Sequence, residues 1–160
     1  MDNPAPVSET VSLTVHDCWK YLETSSVGRV ALVRGGDPEI FPVNYVPDFG
    51  TLIFRTGPGT KLEALQGGKP VAFEADGLNP YGTIAWSVVV KGTAELVEDP
   101  GELREAAATS LSPWEAGTKD QLIRIVPTGL SGRRFVISDP VRWWPPITPD
   151  APSHRSDGGA

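Results

Sequence analysis

The sequence predicts a mainly β protein, an antiparallel barrel with helical additions. Short apolar segments recur along the chain, and tight turns rich in Gly, Pro and Asp separate them. Only a few segments show the spacing of an amphipathic helix. Many short strands joined by tight turns are typical of antiparallel barrels. An open α+β sheet is the alternative that this pattern leaves.

The first helix is expected to begin at Thr14 and to end near Ser25. Thr14 and Asp17 form a capping pattern at its start. The apolar residues that recur at helical spacing are Val15, Cys18, Trp19 and Leu22. Cys18 lies on this apolar face, so we expect a buried, unreactive thiol.

The strands follow from apolar runs bounded by turn residues. They are predicted at Gly28–Val33, Ile40–Val46, Leu52–Thr56, Val71–Ala75, Trp86–Leu96, Gln121–Val126 and Arg133–Ile137. Pro42 inside the second strand predicts an edge or a bulge there. Two further helices are predicted, a short one over Thr60–Gln66 and one over Pro100–Ser110 with Asp99 as its cap.

The domain organisation follows from composition. Residues 1–12 are polar and carry two prolines, so we expect a flexible arm. Residues 13–139 form the predicted domain, and residues 140–160 are a proline-rich, partly disordered tail. A chain of 160 residues is long enough for one domain with a real core.

Composition also limits the function. The net charge of −6 argues against a general nucleic-acid binder, which needs a basic face. One cysteine and two histidines exclude a Cys/His zinc cluster, and we expect no metal site. No apolar run is long enough to predict a membrane span or a signal peptide. We therefore expect a cytoplasmic protein that binds neither nucleic acid nor membrane.

One corner of the sequence indicates a phosphate site. The segment Ile53–Leu62 is a strand, then a Gly-Pro-Gly turn, then the first turn of a helix. This order brings Arg55, Thr56, Thr60 and Lys61 to one place, together with unpaired N–H groups at a helix start. Two cations and two hydroxyls suit a phosphate group. Solvated charges are the alternative reading of Arg55 and Lys61. The spacing of a nucleotide-triphosphate P-loop is absent.

Taken in order, five segments resemble the FMN-binding split barrels of the pyridoxamine 5′-phosphate oxidase-like family. They are Ser26–Ala31, Ile40–Tyr45, Phe54–Leu62, Val71–Glu74 and Trp86–Gly92. The resemblance implies a split β-barrel and a homodimer that holds FMN at its interface. It implies that the phosphate lies on Arg55, Thr56, Thr60 and Lys61. It also implies that Pro42, Val43, Asn44 and Tyr45 run beside the flavin, with Trp86, Ser87 and Val88 bordering the same pocket.

Several of these residues have a simpler interpretation as packing. Asn44 and Tyr45 could pack in the barrel, or Asn44 could offer its amide to the polar edge of a flavin. Trp86 could equally be a core residue. Trp114, in a loop, could cover a partner's pocket or its own core. Glu74 and Asp76 share one strand face, where solvation is the expected role.

The resemblance implies a flavin-dependent oxidoreductase acting on a small molecule, with catalytic residues that the sequence does not identify. With two histidines, no Ser–His–Asp set can be assembled, so the cofactor would carry the chemistry. A deazaflavin-dependent reductase is one alternative. A flavin-binding module for storage or sensing, without turnover, is the other.

Overall fold

The computed structural model describes residues 9–99, 101–102 and 121–137. Its elements in chain order are β1 (Thr10–Ser12), α1 (Val15–Leu22), β2 (Val27–Arg34), β3 (Asp37–Asp48), β4 (Thr51–Thr56), α2 (Thr60–Leu65), β5 (Pro70–Leu78), β6 (Ile84–Leu96) and β7 (Gln121–Val136). No helix in these ranges is long and apolar enough to cross a membrane.

The strands form one closed antiparallel sheet. Their order is β1-β7-β4-β3-β2-β5-β6, and β6 also pairs with β7. That last pairing closes a barrel of six strands. Strand β1 lies outside this closed ring and pairs with the C-terminal end of β7. The predicted antiparallel barrel with helical additions is confirmed, and the open α+β alternative is wrong.

The barrel interior is filled by large apolar side chains from alternate positions of each strand. The largest fully buried ones include Tyr45, Phe54, Phe73, Leu22 and Leu52. Helix α1 contributes Leu22 and Cys18 to this core, so the buried position expected for Cys18 is confirmed. The Thr14 cap is also confirmed, because its hydroxyl accepts a hydrogen bond from the Asp17 amide at 3.1 Å.

Several boundaries differ from the sequence prediction. Helix α1 ends at Leu22 and not near Ser25, and β3 begins at Asp37 and not at Ile40. The last residues of the predicted arm, Thr10–Ser12, form β1 on β7, because their backbone groups find partners along that strand. The two predicted C-terminal strands are one continuous strand, β7. A register shift opposite Lys91 and Gly92 accommodates Pro127 within β7, so the proline does not end the strand.

Some predictions lie outside the described residues. Of the predicted helix over 100–110, only residues 101 and 102 are described. Asp99 Oδ1 accepts hydrogen bonds from both of their amides, at 2.8 and 3.0 Å, as predicted for its cap. Trp114 and the predicted tail over 140–160 lie outside the described ranges, so their assignments stay predictions.

Candidate functional site

The candidate site lies where β3 and β4 separate. The β3–β4 ladder runs from Asp48–Thr51 to Tyr45–Phe54 and includes no pair beyond that point. From Asp37 to Asn44, β3 pairs with β2 alone. Pro42 lies in this one-sided stretch, where a missing N–H breaks no ladder, as its edge position predicted. Beyond Tyr45 the barrel wall is therefore split.

A pocket of about 320 Å³ opens in this gap. Its lining residues are Phe41, Pro42 and Val43 of β3, Arg55 and Thr56 of β4, and residues 57–61. Six predicted site residues thus meet in one cavity: Arg55, Thr56, Thr60, Lys61, Pro42 and Val43. One wall is β3, and the other is the end of β4 with the start of α2.

The pocket carries two cations, Arg55 and Lys61. No ion pair joins Arg55 or Lys61 to another residue in the described part of the chain. Elsewhere Arg29 pairs with Glu74 at 2.9 Å, and Arg124 pairs with Asp48 at 3.4 Å. The positive charge in the pocket is therefore available to an anion.

Lys61 is positioned by an aromatic ring across the gap. Its Nζ lies 4.9 Å from the centroid of Phe41 on the opposite wall. A cation at this distance from a ring face is attracted by the ring's quadrupole. The contact places the ammonium beside the pocket that both residues line, and the N–H groups that do not face the ring remain able to bind a ligand.

The turn between β4 and α2 depends on a glycine. Gly59 has φ +131°, a conformation that strains any side chain. Its carbonyl accepts the first hydrogen bond of α2, from the Glu63 amide at 3.1 Å. No side chain caps this helix start. Gly59 therefore lets the chain turn sharply enough for Thr60 and Lys61 to line the same cavity as Arg55.

Thr56 is a buried polar residue that lines the pocket, with 8% of its surface exposed. Its hydroxyl donates to the neighbouring Gly57 carbonyl at a long 3.4 Å. A hydrogen bond of that length is weak. The hydroxyl can therefore turn toward a bound group at little cost.

The other half of the predicted β3 segment is divided between two faces. Asn44 is half-buried on the outward face and does not line the pocket. Tyr45 points into the core, where its hydroxyl donates to the Leu22 carbonyl at 2.7 Å. Burial raises the pKa of Tyr45 to about 12. Of the two interpretations for Tyr45, packing in the barrel is the one that its side chain shows.

The predicted residues of β6 lie elsewhere in the same chain. The neighbours of β6 are β5 and β7, so it touches neither pocket wall in the sheet. Trp86 and Val88 are buried inside the barrel, and Trp86 packs on Tyr21 with ring centroids 5.3 Å apart. Ser87 faces outward, opposite Asp76 on β5 and Arg133 on β7. One chain does not bring these three residues to the pocket.

Glu74 and Asp76 do share one face, as predicted, and both contact Arg29 there. Their charges raise the pKa of the Arg29 guanidinium, with the hydrogen bond to Glu74 as the largest cause. The cluster is an exposed ion-pair group, in line with the solvated role expected for the two carboxylates.

Sequence reasoning missed Phe41 as a pocket residue. It belongs to the β3 segment but was not assigned to the site. Alternation along β3 places Phe41 on the same face as Val43, which was the available signal. The contact with Lys61 needed the fold, because the two residues lie on opposite walls.

A closed barrel that splits between two neighbouring strands, with a cationic pocket in the split, defines a split-barrel protein. The family model for pyridoxamine 5′-phosphate oxidase matches residues 14–134, so the chain belongs to that family.

Its similarities to individual proteins agree with this assignment. An uncharacterized protein of Mycobacterium tuberculosis is 33% identical over 139 residues, which cover 84% of this chain and 91% of the relative. A solved structure of the same family from Corynebacterium glutamicum has a TM-score of 0.72 at 36% identity, covering 81% of this chain and all of that one. An FAD-binding protein from Mycobacterium smegmatis has a TM-score of 0.66 at 33% identity, covering 79% and 99%.

Proposed function

We propose that this protein binds FMN in the split between β3 and β4 and acts as an oxidoreductase on a small molecule. One observation carries the proposal. A cavity in the barrel wall combines a buried hydroxyl with two cations that lack carboxylate partners among the described residues, in a family with flavin-binding members. This donor set matches a phosphate ester.

The roles of the residues follow from their positions. Arg55 and Lys61 neutralise the phosphate, and the hydroxyls of Thr56 and Thr60 donate to its oxygens. Pro42 and Val43 form the apolar wall beside the rest of the cofactor. When bound, the flavin supplies hydride or electron transfer to the substrate. The protein contributes binding, orientation and exclusion of water.

We propose that the protein is a homodimer. The outward face of β2 and β3 is apolar over one stretch: Ala31 lies opposite Ile40, and Val33 lies opposite Pro38, with the Arg29 ion-pair group beyond them. Val33 and Ile40 are 59% and 67% exposed. This face continues to Pro42 at the pocket, and a second copy would bury both. The cavity of about 320 Å³ is at the low end for a ligand site, which also favours completion by a second chain.

In the proposed dimer, Asn44 and the β6 residues could lie beside the cofactor of the partner subunit, as the family resemblance implies. Asn44 and Ser87 lie on outward faces, so a partner's cofactor could reach them. Trp86 and Val88 are buried, so they would act only by holding β6 in place. We also propose that the protein is cytoplasmic.

FAD is a second candidate for the cofactor. The turn residues Pro58 and Gly59 and the helix start at Thr60 and Lys61 are exposed, so the cationic end of the pocket faces solvent. A longer ligand could leave the pocket there, and the Mycobacterium smegmatis relative binds FAD. A deazaflavin and a module without turnover remain alternatives that the same experiment separates.

The test is titration of FMN, FAD and a deazaflavin into the purified protein, followed by absorbance. We expect FMN to bind, with bleaching of its visible band on reduction and reoxidation by an electron acceptor. Preference for FAD or the deazaflavin would replace FMN in the proposal. Binding without turnover would favour storage or sensing, and binding of none would refute the flavin site. Light scattering should give about twice the chain mass of 17.1 kDa.

A further inference from the structure

Tyr45 belongs to the last β3–β4 residue pair before the two strands separate. Its partner in the β3–β4 ladder is Phe54, and no pair follows toward the pocket. Two residues before Tyr45, Val43 lines one wall, and two residues after Phe54, Thr56 lines the other. Whatever holds Tyr45 therefore determines where the two walls begin to separate.

Tyr45 is held on three sides. Its amide donates to the Ser26 carbonyl at 3.0 Å, and its hydroxyl donates to the Leu22 carbonyl at the end of α1 at 2.7 Å. Its ring meets Phe73 of β5 edge-on, with centroids 4.7 Å apart and planes at 69°. The side chain is 2% exposed. These contacts connect β3 to the α1–β2 connection and to the far side of the barrel.

The Phe73 ring packs directly against Gly28, which has no side chain to displace it. A Cβ at Gly28 would lie 2.2 Å from the Phe73 ring. The ring thus fills the space that a side chain would take, and it packs against Tyr45 from that position. Because close-packed interiors transmit small displacements, a shift of Tyr45 moves β3 relative to β4.

We propose that Tyr45 is the positioning residue of the pocket, which sets the distance between the β3 wall and the β4–α2 wall. It touches no ligand and acts through Val43 and the ladder. This inference rests on the proposed flavin site. It assigns Tyr45 a role different from the place beside the flavin that the family resemblance implied.

The experiment compares Tyr45→Phe with Ile125→Val, a core substitution on β7 away from the pocket. Ile125 is fully buried and pairs with Leu52 and Ala94. Affinities are measured for FMN, riboflavin and inorganic phosphate. In the proposed site, FMN and riboflavin would contact both walls, whereas inorganic phosphate would contact only the β4–α2 wall.

We expect Tyr45→Phe to weaken FMN and riboflavin equally, by about fivefold or more, and to leave phosphate affinity unchanged. Ile125→Val should leave all three unchanged. Unaltered flavin affinity in Tyr45→Phe, or an equal loss in Ile125→Val, would overturn the proposal.

If the wild type binds no flavin, the proposed function fails, and ligand-free hydrogen exchange still tests Tyr45. Exchange over residues 41–45 and 54–61 should be faster in Tyr45→Phe than in Ile125→Val. Equal exchange in the two variants would refute the positioning role.

Discussion

The β3–β4 hairpin contains two regions that are held in different ways. From Tyr45 to Phe54 the strands are paired, and Tyr45, Leu52 and Phe54 are fully buried. Beyond the Tyr45–Phe54 pair, Val43 of β3 and Thr56 of β4 are not paired with each other, and polar groups line a cavity between the strands. Neighbouring residues thus serve different ends: Phe54 fills the core, while Arg55 faces the pocket.

This difference separates stability from binding along a single hairpin. The paired region is stabilised by apolar burial and by hydrogen bonds, and it needs no ligand. The split region leaves Arg55 and Lys61 without carboxylates in the described part of the chain. Substitutions in the first region should lower the free energy of unfolding, and those in the second should lower ligand affinity.

The largest expected effect distinguishes Phe54 from Arg55. Phe54→Ala removes a fully buried ring, so it should lower the free energy of unfolding by about 3–5 kcal/mol. Arg55→Ala, one residue later, should change it by less than about 0.5 kcal/mol. Urea unfolding of the ligand-free proteins measures both. Similar losses would show that the split region also carries stability.

High pH should weaken the paired region through Tyr45. Burial is the largest cause that raises the pKa of this phenol from 10.0 to about 12, with the Glu74 charge adding to it. The neutral, buried phenol therefore contributes stability to the folded state below pH 10. That contribution is lost as the pH rises from about 10 through 12. We expect the wild type to lose about 2 kcal/mol more than Tyr45→Phe over that range.

Unfolding of both proteins at pH 9 and pH 11.5 measures this difference. Parallel losses would contradict the buried position of the phenol.

The turn that closes the split region should depend on its glycine. Gly59→Ala puts a side chain at φ +131°, which should cost about 1–2 kcal/mol of folding free energy. Gly129→Ala on β7 is the matched control. A Cβ meets nothing within 4 Å at either position, and only Gly59 has a positive φ. Equal unfolding curves for the two variants would refute the backbone explanation.

The smallest effect is expected at Cys18, in the core and away from the pocket. Cys18→Ala should lower the free energy of unfolding by about 1 kcal/mol and leave FMN affinity unchanged. Burial and the Asp17 charge raise the pKa of its thiol, so native Cys18 should react slowly with thiol reagents. Lost flavin affinity in a folded variant would contradict this structural role.

Local sequence patterns predicted most of the barrel, since period-two apolar runs and glycine turns are local signals. They could not predict that β7 continues through Pro127, because that depends on a register shift in its pairing with β6, where β7 carries one extra residue between Pro127 and Gly129. A Cβ at Gly92 would lie 2.2 Å from the Val126 carbonyl oxygen, so the close approach there also needs a glycine. These are contacts between residues far apart in sequence.

The predicted phosphate-binding residues could be grouped from the sequence because Arg55, Thr56, Thr60 and Lys61 are close along the chain. The β3 wall was predicted only in part. The family resemblance supplied a continuous segment, whereas the fold divides it at the end of the β3–β4 ladder. Tyr45 is still paired with Phe54 and lies in the core, while Pro42 and Val43 lie beyond the last pair and line the pocket. Phe41 became recognisable only when the fold placed Lys61 across from it.

The phosphate assignment is tested most directly by titrating FMN and riboflavin into the wild type and Lys61→Ala. A hydrogen bond to a charged group contributes about 1.5–3 kcal/mol, so FMN affinity should fall by about ten- to a hundredfold. Riboflavin lacks the phosphate, and its affinity should stay within about twofold. Equal losses for the two ligands would contradict the account, because Lys61 would then shape the pocket without binding a phosphate.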